Sequence, residues 1–205
     1  MEVTDRISEA FVAARSRYEE LDRAWVSVSL KIGSLLPQSL LTVSIQRDGA
    51  LDLVLRCMED EFSQTSQSNT QSNIFGFHYY KIFAELWVGD MYETFRLLGA
   101  RKIAVATDEY QSLARDLRFL RVPLEMHEIA GDSKLTEALQ MYRTPPRDDD
   151  HEMYKYEKGD PLRAHIMPSG VSDRGSVMWQ VIDLKSNTSY WIERRQVSDT
   201  QFMGR

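Results

Sequence analysis

With a single cysteine, Cys57, among 205 residues, the chain can form no internal disulfide and no cysteine-based metal site, which fits a reducing compartment. Long apolar runs are also missing. None approaches the roughly 20 residues that span a bilayer, and residues 1–9 are too polar for a secretory leader. These absences predict a cytoplasmic protein with no membrane partner. Positive charge is in deficit as well: the formal charge is −6, which argues against a surface that coats nucleic acid broadly but leaves room for a small basic cleft.

What remains is enough for a real core. The chain is 42% hydrophobic and 27% charged, an ordinary globular balance, and its length allows one domain over 1–205. Residues 4–24 carry Ile7, Phe11, Ala14, Tyr18 and Leu21 at helical spacing. Residues 25–34 fit either a strand, because Val26, Val28, Leu30 and Ile32 alternate with polar residues, or a continuation of that helix. Over 41–56 the alternation around Asp48-Gly49 predicts a β-hairpin. Residues 63–73 hold no apolar side chain and read as a mobile loop.

Residues 74–98 form the plainest helix, with Phe77, Tyr80, Ala84, Trp87, Met91, Phe95 and Leu98 on one face and Gly99 to stop it. A second helix follows over 107–130. Asp108 and Gln111 make a capping box, and Leu113, Leu117, Leu120, Leu124 and His127 continue one stripe. Pro123 predicts a kink and Gly131 an end. Two such helices joined by a short connector pack antiparallel. Residues 143–161 are polar and read as a second mobile loop. Residues 176–195 alternate around a turn at Lys185 and predict a hairpin within a C-terminal element, 163–205. The fold class that follows is α+β: an antiparallel helical core from the N-terminal helix, 74–98 and 107–130, lying mainly within 74–142, with one or two β-hairpins.

Chemistry concentrates on the second helix. Arg115, Arg118 and Arg121 recur every third residue as a basic ridge. The run Arg121-Val122-Pro123-Leu124-Glu125-Met126-His127 resembles the Arg-x5-His motif of HEPN domains, helical bundles that include many prokaryotic ribonucleases and toxins. The resemblance covers residues 74–130, with Val122 and Pro123 as departures from the family pattern. It implies a metal-independent ribonuclease without cofactor, of toxin or phage-defence type. In that role Arg121 would stabilise charge on the scissile phosphate and His127 would move the proton from a ribose 2′-OH. Imidazole as a class titrates near neutrality. Arg115 and Arg118 would contact the RNA backbone. The resemblance further implies a homodimer with a composite site and, for a toxin, an antitoxin or other protein partner. The alternatives are a non-catalytic binding or dimerisation module using the same helices and a degenerate HEPN domain that binds nucleotide or RNA without cutting.

Three other stretches read as structural. Asp148, Asp149, Asp150, His151 and Glu152 are a solvated acidic loop rather than a metal site, because adjacent carboxylates rarely converge on one ion. His78 precedes the best helix face as a packing or capping residue. Arg163, His165 and the Gly/Ser/Arg-rich run 169–175 match no phosphate-loop spacing and form a connector.

Overall fold

The computed structural model describes residues 2–67, 74–103, 107–142 and 153–203. Five helices come first: α1 (Val3–Arg17), α2 (Glu19–Leu35), α3 (Leu41–Gln67), α4 (Ile74–Ala100) and α5 (Asp108–Met126). A 3-10 turn (Asp132–Lys134) leads to the hairpin of β1 (Leu139–Tyr142) and β2 (Met153–Tyr156). The antiparallel three-stranded sheet of β3 (Ser169–Val171), β4 (Val177–Asp183) and β5 (Thr188–Glu193) follows, and α6 (Arg194–Met203) closes the order. The α+β architecture with a helical core and hairpins is therefore the observed one, and α6 is an addition to it.

Helices α4 and α5 pack antiparallel. Tyr110 at the start of α5 stacks on Phe95 near the end of α4, with ring centroids 5.1 Å apart, while Glu125 near the end of α5 reaches Gly89, earlier on α4. Their apolar faces are those expected from sequence: Tyr80, Ala84, Trp87 and Met91 meet Leu113, Leu117 and Leu120, all buried. The hairpin over 176–195 is also as expected. It runs with Met178 opposite Glu193 and Asp183 opposite Thr188, and its inward residues Val177, Trp179 and Val181 are buried.

The expected hairpin over 41–56 is instead the first half of α3. Leu41, Ile45, Asp48, Asp52, Leu55 and Glu59 are buried at a spacing of three and four that the coincident two-residue alternation conceals, with Gly49, Leu53 and Arg56 buried beside them. Val43, which a strand would bury with Leu41, is exposed. Gly49 is not a turn residue; it sits where α2 crosses α3, and a Cβ there would stand 2.5 Å from Trp25 Cγ. Residues 25–34 are helix, within α2, which buries Trp25, Ser29 and Gly33 four residues apart. The first helix is two, broken at Tyr18 with φ −119° and ψ 44°. No glycine or proline marks that break.

The two expected loops also change. Residues 63–67 continue α3, and 68–73 lie outside the described residues. Of 143–161, residues 143–152 lie outside the described residues and 153–156 are β2, zipped to β1 with Leu139 opposite Tyr156. In the β3–β4 turn Gly175 adopts φ +76° and presses on α3, where a Cβ would collide with the Glu59 carbonyl. Among the described residues, no helix is long and apolar enough to cross a membrane.

Candidate functional site

Helix α5 carries the residues singled out in the sequence. Its N-cap lies one residue before the expected one: Thr107 accepts a hydrogen bond from the Tyr110 N–H at 3.2 Å, closing the first turn in place of Asp108. The helix runs through Pro123 and stops at Met126, four residues early. His127 is the reason. It takes the left-handed conformation, φ 56° and ψ 29°, so the ring leaves the leucine stripe and is exposed.

The backbone around His127 is tied down from three directions. Its N–H donates to the Pro123 carbonyl at 3.2 Å, and its carbonyl accepts from the His165 N–H at 2.7 Å. The Tyr156 hydroxyl accepts from the Ile129 N–H at 3.0 Å and donates to Asp132 at 2.9 Å. The Arg163 guanidinium binds Glu128 at 2.6 Å and Asp132 at 3.0 Å. His165 lies behind this loop, 3% exposed, with no partner for Nδ1. Burial pushes its pKa down to about 4, which keeps the imidazole neutral near pH 7.

The three ridge arginines do not share a surface. Arg115 and Arg118 line a cleft of about 880 Å³ with Lys134 from the 3-10 turn and Lys185 from the β4–β5 turn. Arg121 lines a separate groove of about 420 Å³ between α4 and α5, in the company of Glu85, Asp90, Glu93 and Glu125. There its Nε lies 2.8 Å from Glu125 and its guanidinium 5.3 Å from the Tyr92 ring. The Nε proton does not aim at the Glu125 oxygen, so the contact is an ion pair and not a hydrogen bond. His127 lines neither cleft.

Reading from sequence missed a buried cluster of charged side chains. Arg194, Asp52 and Glu59 are all fully buried. Arg194 grips both Glu59 oxygens at 2.6 and 2.8 Å and reaches Asp52 at 2.5 Å. Arg56 adds Asp52 at 3.0 Å and Asp199 at 2.6 Å, Tyr80 donates to Glu59 at 2.8 Å, and the Trp25 N–H reaches Asp52 at 3.1 Å. Burial alone would raise the Asp52 pKa, but Arg194 and Arg56 overcome it and hold the carboxylate below its usual range. The cluster joins α3 to α4 and α6, and its central groups are sealed from solvent, so it is architecture. Its signal, Asp52, Arg56 and Glu59 at helical spacing, is visible only once 41–67 is read as a helix.

Among the described residues no group of three or more histidines, cysteines or carboxylates is placed to hold a metal ion; the 148–152 run lies outside them. No family model, curated protein or solved structure matches the chain.

Proposed function

We propose that this chain is a HEPN-like, metal-independent ribonuclease of toxin or phage-defence type, with His127 as the proton-transfer group and Arg121 as the phosphate contact. The observation that carries this reading is the placement of His127. A left-handed backbone costs a residue with a Cβ about 1–2 kcal/mol, and glycine is the usual occupant of a helix C-terminal position of this kind. The exposed ring regains nothing by burial, and three elements hold the loop around it. Strain kept in place by its surroundings is a mark of functional positions.

In the proposed reaction the ribose 2′-oxygen attacks the adjacent phosphorus and loses its proton to a base. The bond from phosphorus to the 5′-oxygen breaks, and a proton passes to that oxygen, leaving a 2′,3′-cyclic phosphate and a 5′-hydroxyl. His127 serves one of those proton transfers. Arg121 exchanges Glu125 for the phosphate and stabilises its developing charge. Arg115 and Arg118 hold flanking phosphates. A homodimer completes the site, and the surface it would use is an exposed apolar stripe on α4 formed by Tyr79, Ile82, Phe83 and Leu86, with Met126 exposed at the end of α5. The second reading, a non-catalytic binding or dimerisation module, is favoured by one fact: Arg121 is already engaged by Glu125 and Tyr92.

A digest of mixed RNA by the purified protein decides between them. Cleavage is expected to persist in EDTA and to leave cyclic phosphate ends. His127→Ala lowers the rate by about 10²–10⁴, and Arg121→Ala costs a comparable factor. RNA left intact by a confirmed dimer, or cut equally well by His127→Ala, leaves the module reading standing.

A further inference from the structure

We infer that the cleft lined by Arg115, Arg118, Lys134 and Lys185 binds a nucleoside phosphate, either a free nucleotide or the phosphorylated end of an RNA strand. It shares Arg115 and Arg118 with the ribonuclease reading but does not depend on cleavage.

Four cations from three separate elements converge here, on a chain whose net charge is −6. Positive charge gathered into one concavity selects a compact anion rather than a long polyanion laid over a surface. Among the described residues the side chains of Arg118, Lys134 and Lys185 have no carboxylate partner. Only Arg115 is partly neutralised, by Asp116 at 3.6 Å. This differs from the arginines elsewhere, where Arg17, Arg56, Arg163, Arg174, Arg194 and Arg195 each bind carboxylates. Unpaired cations in a cleft are available to phosphate oxygens, to which arginine presents a fork and lysine a point charge.

The remaining lining supplies the other half of a nucleotide's chemistry. Phe119, Leu135, Leu139 and Leu184 give apolar walls for a base. Two carboxylates, Glu137 and Asp183, also line the cleft. The Asp183 carboxylate caps the turn, accepting from the Lys185 N–H at 2.9 Å, which holds its pKa below the usual range. Carboxylates accept hydrogen bonds from ribose hydroxyls and repel a bare polyphosphate. A volume of about 880 Å³ falls in the range of small-molecule sites, roughly 300–1,000 Å³.

The test is fluorescence anisotropy with two probes, fluorophore-labelled GTP or ATP and a 5′-phosphorylated five-residue 2′-O-methyl oligoribonucleotide, which lacks the attacking hydroxyl. Saturable binding of at least one probe is expected. The Lys134→Glu/Lys185→Glu double variant, altered only at exposed side chains, should weaken it by at least about tenfold, as loss of charged hydrogen bonds implies. Its melting temperature is measured alongside, and Lys185→Glu alone serves if the double variant loses stability. Whichever probe displaces the other at lower concentration assigns the source as free nucleotide or strand end. Tripolyphosphate should compete poorly. The inference is overturned if neither probe binds the wild type, if the lysine variants bind as well as wild type, or if tripolyphosphate competes as well as the nucleotide. Nucleotide binding by a protein that cuts no RNA would sink the ribonuclease reading and leave this one intact. Cleavage by a protein that binds neither probe would do the reverse.

Discussion

The buried cluster around Arg194 and the exposed end of α5 around His127 both draw charged residues from elements far apart in sequence, yet they leave different things unsatisfied. In the cluster every charged group has a partner of opposite sign: Arg194 and Arg56 face Asp52, Glu59 and Asp199, Arg174 adds a second cation to Asp199, and Tyr80 and Trp25 donate to Glu59 and Asp52. At the α5 end the surrounding loop is equally well bonded, but His127 itself sits in a strained conformation with its ring in solvent. Complete satisfaction marks a residue that holds the fold together. Local strain without a packing return, which Lys102 shares at the end of α4, is what supports the proposal that His127 is kept for its side chain.

The sharpest way to break that comparison is to cut the buried cluster. Arg194→Met should destabilise the protein by about 3–5 kcal/mol, because it removes the buried cation that Asp52 and Glu59 share and leaves Glu59 only Arg195, at 3.8 Å. Urea denaturation of wild type and variant measures it. A loss under about 1 kcal/mol would mean that the cluster does not bind α6 to α3 and α4 as described.

Why this cluster was invisible in the sequence, while α4, α5 and the β4–β5 hairpin were legible, follows from what each signal depends on. Tyr80, Ala84, Trp87 and Met91 repeat at a helical period too long to mistake. Leu41, Val43 and Ile45 followed by Leu51, Leu53 and Leu55 satisfy a strand period as well as a helical one, and Asp48-Gly49 between them imitates a turn. What decides in favour of helix is tertiary: Trp25 needs the bare Cα of Gly49, and Arg194, 142 residues from Asp52, needs Asp52 and Glu59 on one face. The site divides the same way. The exposure of Arg115 and Arg118 follows from their place off the leucine stripe. Lys134 and Lys185 join them only because the 3-10 turn and the β4–β5 turn fold to the same cleft, and the separation of Arg121 from that cleft needs the position of α4.

Acidity sharpens the comparison with a smaller effect, through two buried titratable side chains that each leave an atom without a hydrogen-bond partner, Asp48 near the cluster and His165 behind the α5 end. Asp48, on the same helix as the cluster, leaves Oδ2 unpaired, and burial first, then Asp90, pushes its pKa up to about 7 against the pull of Arg47. Its folded form therefore holds a proton that the unfolded chain releases near pH 4, so this contribution is full at low pH and is lost as pH rises from about 4 to 7. His165, behind the His127 loop, has its pKa lowered to about 4. Its contribution is full above about 6.5 and is lost as pH falls towards 4. The two slopes oppose each other, each worth on the order of 1–3 kcal/mol across its window. In Asp48→Asn, melting temperatures should rise with pH between 4 and 6.5. In His165→Gln they should fall between 4 and 7. Parallel profiles for the two variants would show that these atoms are not the isolated groups the geometry makes them.

The smallest expected change in stability separates the two regions best. Position 127 has the backbone of a glycine, so His127→Gly relieves left-handed strain at the cost of greater freedom in the unfolded chain. The two nearly cancel, and the variant should melt within about 1 kcal/mol of wild type, on either side. The loop bonds involve only the backbone at 127, namely its N–H to Pro123 and its carbonyl to His165, so the substitution leaves them in place. If the side chain is there for chemistry, this well-folded variant loses RNA cleavage as fully as His127→Ala does. The equivalent experiment in the buried cluster has no such outcome, because glycine at 194 removes side-chain hydrogen bonds to Asp52 and Glu59. A drop of more than about 2 kcal/mol in His127→Gly would mean that the imidazole holds the end of α5 together, and the strain at 127 would then be structural, like everything around Arg194.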